Sequence, residues 1–149
     1  MGFEILLEKI SKEIDGLNKE VALPKVMATL KEEVFHYDWV GIYELTADEK
    51  GLSLGPYVGK ATDHTYIPVG KGVCGQVAEK NISMIVQDVS QEDNYIACSM
   101  DVQSEIVVPI KKGDRFVAQI DIDSHAYAPF TSDDQSFLEK VAALLSVYY

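Results

Sequence analysis

An α+β domain, with a central and largely antiparallel sheet flanked by N- and C-terminal helices, is the architecture this sequence predicts. Helical apolar spacing is confined to the two ends of the chain, period-two runs fill the middle, and one hairpin stands out near the end. At 149 residues, 47% of them hydrophobic, the chain fits a single domain that can bury a real core. Residues 1–36 are read as leading helices, 37–130 as sheet and pocket elements, and 131–149 as a C-terminal helix.

Phe3, Leu6, Leu7, Ile10, Ile14 and Leu17 recur at helical spacing, with Lys and Glu filling the other face. Gly16 lies near the end of that pattern. Pro24 suits the first turn of a second helix, which would bury Val26, Met27, Leu30 and Val34 and run to about Phe35. The period then changes. Trp39 to Leu45 is rich in β-branched and aromatic residues and reads as a strand. A turn at Asp48-Glu49-Lys50-Gly51 leads to a second strand, Leu52 to Val58, and a short third follows around Thr65 to Val69. Gly70-Lys71-Gly72 opens a short helix through Cys74. Ser83 to Val86 is strand-like, and Asp88 to Asn94 is a polar loop. Glu105 to Ile110, a turn at Lys111-Lys112-Gly113-Asp114, and Arg115 to Asp123 form the hairpin. Pro109 removes a ladder donor and so belongs near an edge or bulge. Thr131 or Ser132 caps the last helix, which turns Phe137, Leu138, Val141, Leu145 and Tyr148 inward.

A formal net charge of −11 and scattered basic residues argue against a nucleic-acid partner, which needs a basic stripe. No apolar run is long enough to span a bilayer, and the charged N-terminus lacks the shape of a signal peptide, so a cytoplasmic protein without a membrane partner is expected. Two cysteines, Cys74 and Cys98, are too few for a disulfide scaffold and too far apart for a zinc knuckle. His36, His64 and His125 have no metal-ligand spacing, and no Walker-type loop or dinucleotide fingerprint is present. Neither a metal nor another cofactor is expected.

Chemistry-bearing residues concentrate in the hairpin. Strict alternation puts Phe116, Ala118, Ile120 and Ile122 on one face, and Gln119, Asp121 and Asp123 on the other. With a three-residue turn and Gly113 in the left-handed position, Glu105 would lie opposite Asp121. Three carboxylates on one face raise at least one pKa and can act as a general acid or hold an ammonium group; the plainer alternative is a solvated acidic face. Cys74, between glycines at a helix start, is placed where the dipole lowers a thiol pKa. Each cysteine taken alone is more often packing than chemistry. Trp39 and Tyr43, four apart on a strand, share a face and could wall an apolar pocket, or be plain core.

Taken in order, Gly72-Val73-Cys74-Gly75, Ile96-Ala97-Cys98, Ser104-Glu105-Ile106-Val107-Val108-Pro109 and Asp121-Ile122-Asp123-Ser124 resemble the GAF-domain free methionine-(R)-sulfoxide reductases. The likeness extends through Trp39-Val40-Gly41-Ile42-Tyr43 and Leu54-Gly55-Pro56-Tyr57, and it covers the chain from Trp39 to the last helix. It implies a GAF fold, a homodimer, Cys98 as nucleophile and Cys74 as the family's second cysteine. It further implies that Glu105, Asp121 and Asp123 bind and protonate free methionine sulfoxide, and that Trp39 and Tyr43 line the pocket. The family usually carries another, resolving cysteine before the Ile-Pro pair. Here Ala61 to Tyr66 contains none, and His64 falls nearest that place.

On this reading Cys98 reduces the sulfoxide and becomes a sulfenic acid. Recycling then falls to Cys74, a small thiol or a thioredoxin-like donor, and Cys74→Ser should mainly affect turnover. The competing functions are a non-catalytic GAF small-molecule sensor and a reductase that has lost its chemistry.

Overall fold

The computed structural model describes residues 2–96 and 100–149. Its strands are β1 (Trp39–Leu45), β2 (Gly51–Val58), β3 (Tyr66–Pro68), β4 (Met84–Val86), β5 (Ser104–Lys112) and β6 (Arg115–Ser124). Among the described residues they form one six-stranded sheet, ordered β3-β2-β1-β6-β5-β4, with every neighbouring pair antiparallel. Helices α1 (Phe3–Ile14), α2 (Lys19–Glu33) and α4 (Ser132–Leu145) cover one face, and α3 (Gly72–Lys80) covers the other. The α+β expectation holds, in three layers. No helix among the described residues is long and apolar enough to cross a membrane.

The two sheet faces have different chemistry because side chains alternate along each strand. Val40, Ile42, Ile106, Val108, Ile110, Ala118, Ile120 and Ile122 meet Leu6, Ile10, Met27, Leu30, Leu138 and Val141 of the three-helix layer in the larger core. The opposite face carries Trp39, Tyr43, Val107 and Phe116 against Val73, Cys74 and Val77 of α3. This smaller core surrounds the acidic residues of β5 and β6.

Two helix boundaries carry lessons. The second helix begins well before Pro24: Asn18 caps it, its side chain accepting from the Val21 amide at 3.1 Å. Pro24 therefore sits in the second turn, not the first. The carbonyl it leaves unbonded is that of Glu20, on an exposed residue where water can serve it. The last helix starts where Thr131 predicts, with a capping box closed by Asp134.

The hairpin corrects two expectations. Its loop has two residues, Gly113-Asp114, with Lys112 paired to Arg115 and Gly113 at φ +64°; a positive φ at the first loop residue suits a tight hairpin turn. One residue, Val117, is then extra: Ile110 pairs with Ala118 and Lys111 with Phe116. This bulge turns both Val117 and Ala118 toward the helices and sends Phe116 to the α3 side, against strict alternation. Beyond it Glu105 pairs with Asp123, not Asp121. A ladder that absorbed Val117 without a bulge would place Glu105 opposite Ile122, on the helix-facing side. The bulge keeps all three carboxylates on one face. Pro109 lies next to it, past Val107, the last β5 residue paired with β4.

Candidate active site

Glu105, Asp121 and Asp123 are 4%, 1% and 1% exposed, so the solvated-face reading fails. Val107 is paired with Asp121 and Glu105 with Asp123, which sets Glu105 diagonally across the strands from Asp121. Cys74 joins them from α3, its Sγ lying 3.9 Å from Glu105 Oε2. Donor atoms of Cys74, Glu105 and Asp121 all lie within 4.8 Å of one another. Neither Asp121 oxygen meets a donor from outside this cluster among the described residues.

Burial dominates the electrostatics. It raises the Asp121 pKa above the ordinary 3.8, while hydrogen bonding with Glu105 and Cys74 pulls partly the other way. The Cys74 thiol is pushed well above 9.0, first by burial and then by the charges of Asp121 and Glu105. The expected activation of Cys74 by the helix N-terminus is therefore overturned. Cys74 does stand in the first turn of α3, but removal from water beside two carboxylates outweighs a dipole worth about 1 kcal/mol.

Trp39 and Tyr43 form the neighbouring wall, their rings 6.4 Å apart. Gly41 lies between them and pairs with Asp121; the Trp39 ring fills the space that a Cβ on Gly41 would need. Both aromatics also hold the 59–65 loop. Trp39 Nε1 donates to the Lys60 carbonyl at 3.0 Å, and Tyr43 Oη donates to the His64 carbonyl at 2.8 Å. Tyr57, opposite Gly41 on β2, stacks on Trp39 at 5.3 Å and extends the wall. Sequence reading quoted Tyr57 without giving it this place; the β1–β2 register was the missing signal.

The family model for the GAF domain matches residues 18–148. Free methionine-R-sulfoxide reductase of Escherichia coli is 37% identical over 83% of this chain and 73% of its own length. The Saccharomyces cerevisiae protein of the same name is 36% identical over 96% of this chain and 85% of its own. The chain belongs to the GAF-domain free methionine-R-sulfoxide reductase family. The structure of the Neisseria meningitidis reductase in complex with its substrate superposes with a TM-score of 0.92 at 33% identity, covering 98% of this chain and 87% of that one.

Of the site residues expected for this reductase-family chain, the fold brings together Cys74, Glu105, Asp121 and Asp123, with Trp39 and Tyr43 along the same sheet face. Cys98 lies outside the described residues. Two positions before it, Ile96 lines the crevice over Cys74, Glu105 and Asp121. The approach to Cys98 is tied to α3 by Asn94, whose Oδ1 accepts from the Gly72 amide at 2.8 Å and whose Nδ2 donates to the Gly70 carbonyl at 3.0 Å. Gln76 Nε2 donates to the Gly72 carbonyl at 3.0 Å on the same turn. Asn94 was not singled out from sequence, because its partners are backbone atoms of a turn more than twenty residues away; nor was Gln76, whose bond returns to the backbone of its own helix.

Gly75 lets α3 sit this close. A Cβ there would stand 2.6 Å from the Pro68 carbonyl oxygen and 2.9 Å from the Gly70 amide nitrogen, both backbone atoms. Gly75→Ala must move the helix that carries Cys74, and overpacking of this kind costs about 1–3 kcal/mol. The expected result is a lower urea midpoint with an unchanged m-value; an unchanged midpoint would show that α3 shifts freely.

Proposed function

We propose that this protein reduces free methionine-(R)-sulfoxide to methionine, with Cys98 as nucleophile and the buried carboxylates of Glu105, Asp121 and Asp123 as the acid and ammonium-binding group. The observation that carries the reading is Asp121: a fully buried carboxyl whose pKa is raised by desolvation, beside two more carboxylates and an aromatic wall. A reductase of sulfoxides needs a proton at the sulfoxide oxygen, because oxide is a very poor leaving group. A carboxyl that keeps its proton above the ordinary range supplies one.

The thiolate of Cys98 attacks the sulfoxide sulfur as the carboxyl proton passes to the oxygen. The protonated oxygen then passes as hydroxyl from the substrate sulfur to Cys98 as the substrate S–O bond and the transient S–S bond both break. Methionine departs with the electron pair on its sulfur and Cys98 is left as a sulfenic acid: sulfur of the substrate is reduced by two electrons and Cys98 is oxidised by two. One thiol of a donor condenses with the sulfenic acid, releasing water, and a second thiol frees Cys98 as the donor disulfide forms. A small thiol or a thioredoxin-like protein fits this role better than Cys74, whose thiol is buried and held protonated. The remaining carboxylate charge binds the α-ammonium of the free amino acid. A methionine within a peptide has none, which makes the site selective for the free form. We place the protein in the cytoplasm, acting as a homodimer.

Reduced protein with dithiothreitol is expected to form methionine from the free R sulfoxide, and not from the free S form or a peptide-bound sulfoxide, as measured by chromatography. Absence of methionine from all three, in folded protein with free thiols, would leave a ligand-binding GAF module as the function.

A further inference from the structure

The same crevice has a property that the reduction reaction does not use. We infer that Cys74, Glu105 and Asp121 form a binding site for a thiophilic divalent cation of the zinc and cadmium class.

The three residues come from three elements, α3, β5 and β6, and their donor atoms converge within 4.8 Å. Zinc bonds of about 2.3 Å to sulfur and about 2.0 Å to oxygen place tetrahedral donors about 3.5 Å apart. The 3.9 Å from Cys74 Sγ to Glu105 Oε2 already approaches that spacing. Two further observations point to an occupant. Asp121 lines the crevice at 1% exposure, and among the described residues neither carboxylate oxygen meets a donor from outside the cluster, a costly arrangement that an ion would relieve. The crevice itself offers about 10 Å³. That is the room taken by one water-sized body.

The donor set selects the metal. One thiolate with two carboxylates favours zinc or cadmium over magnesium and calcium, which take oxygen ligands alone. A dication offsets most of the negative charge that the cluster carries once Cys74 gives up its proton, and that proton leaves to solvent as the metal binds. Lys71 at the crevice mouth is the nearby opposing charge, and it is exposed and able to turn away.

The test is a titration of reduced Cys98→Ser protein with cadmium chloride, following the ultraviolet thiolate-to-cadmium charge-transfer band; this background leaves Cys74 as the chain's one thiol. The expected result is a band saturating at one cadmium per chain, displaced by zinc and untouched by magnesium. It should vanish when Cys74→Ser is added, and Asp121→Asn should weaken the affinity at least tenfold. A missing band in Cys98→Ser, a band that survives Cys74→Ser, or an unchanged affinity in Asp121→Asn would each overturn the site. The near-isosteric Asp121→Asn, checked by circular dichroism, keeps the test decisive where Cys74→Ser perturbs the fold.

Discussion

Cys98→Ser is expected to abolish methionine formation, and Asp121→Asn to lower kcat/KM for free methionine-(R)-sulfoxide by about 10²–10⁴, the range of a lost general acid. The two should also differ in pH behaviour. Desolvation raises the Asp121 pKa, so the folded chain holds this proton more tightly than the unfolded chain does. Activity that depends on the proton is present at low pH and lost as pH rises through the raised value. In Asp121→Asn that descending limb should disappear from the kcat/KM profile; a limb that persists would assign the acid to another group. Stability follows the same sign. The contribution of Asp121 is fully present below the ordinary carboxylate value and is lost as pH climbs through the folded one. Wherever Asp121 is ionised its buried carboxylate is a cost, and the asparagine carries none of it. Asp121→Asn is expected to melt no lower than the parent at pH 7, by calorimetry.

How far the sequence foretold this site depends on which residues are considered. The bounds of β1 and the shared face of Trp39 and Tyr43 follow from local composition and period, and both stand in the structure. That Gln119, Asp121 and Asp123 share a face was equally legible, since it needs nothing beyond alternation. The partner of Glu105 was not, because register integrates every residue of a hairpin. A loop one residue shorter and a bulge at Val117 together moved it by two positions, from Asp121 to Asp123. A shift of two preserves the face, so the acidic cluster survived a mistaken register. Phe116, on the far side of the bulge, did not keep its expected face. The Cys74 prediction failed for a different reason. A helix N-terminus can be read locally, whereas the burial that outweighs it, and the carboxylates that add to that, depend on strands more than thirty residues away. The tie from Asn94 to the Gly70 to Gly72 turn has no sequence signature at all, being a side chain bonded to remote backbone.

Asp134→Ala should show the opposite balance: a loss of about 2–4 kcal/mol in stability, with kcat/KM of the folded protein unchanged. Asp134 is as buried as Glu105, Asp121 and Asp123, at 2% exposure, but it is fully engaged. Its Oδ1 accepts from Tyr37 Oη at 2.8 Å and lies 2.8 Å from His36 Nε2, and its Oδ2 accepts from the Thr131 amide at 2.8 Å. Removing it deletes one half of the capping box, worth about 1 kcal/mol. It also strands the Tyr37 hydroxyl, itself 1% exposed, at a cost of about 1–3 kcal/mol for an unsatisfied buried group. Tyr37 precedes β1 by two residues, so the bond joins the start of α4 to the strand that carries Trp39. Urea unfolding measures the first effect and steady-state assay at low temperature the second. A stability loss under 1 kcal/mol would mean that water replaces the carboxylate, and a fall in kcat/KM of the folded protein would place Asp134 in the positioning of Trp39. The two buried aspartates then differ in one respect, whether the fold supplies their partners. Asp134 has donors on Tyr37 and Thr131 and contributes stability, while Asp121, among the described residues, meets only the acidic and thiol groups of its own cluster and is left for a proton, a substrate or an ion to complete.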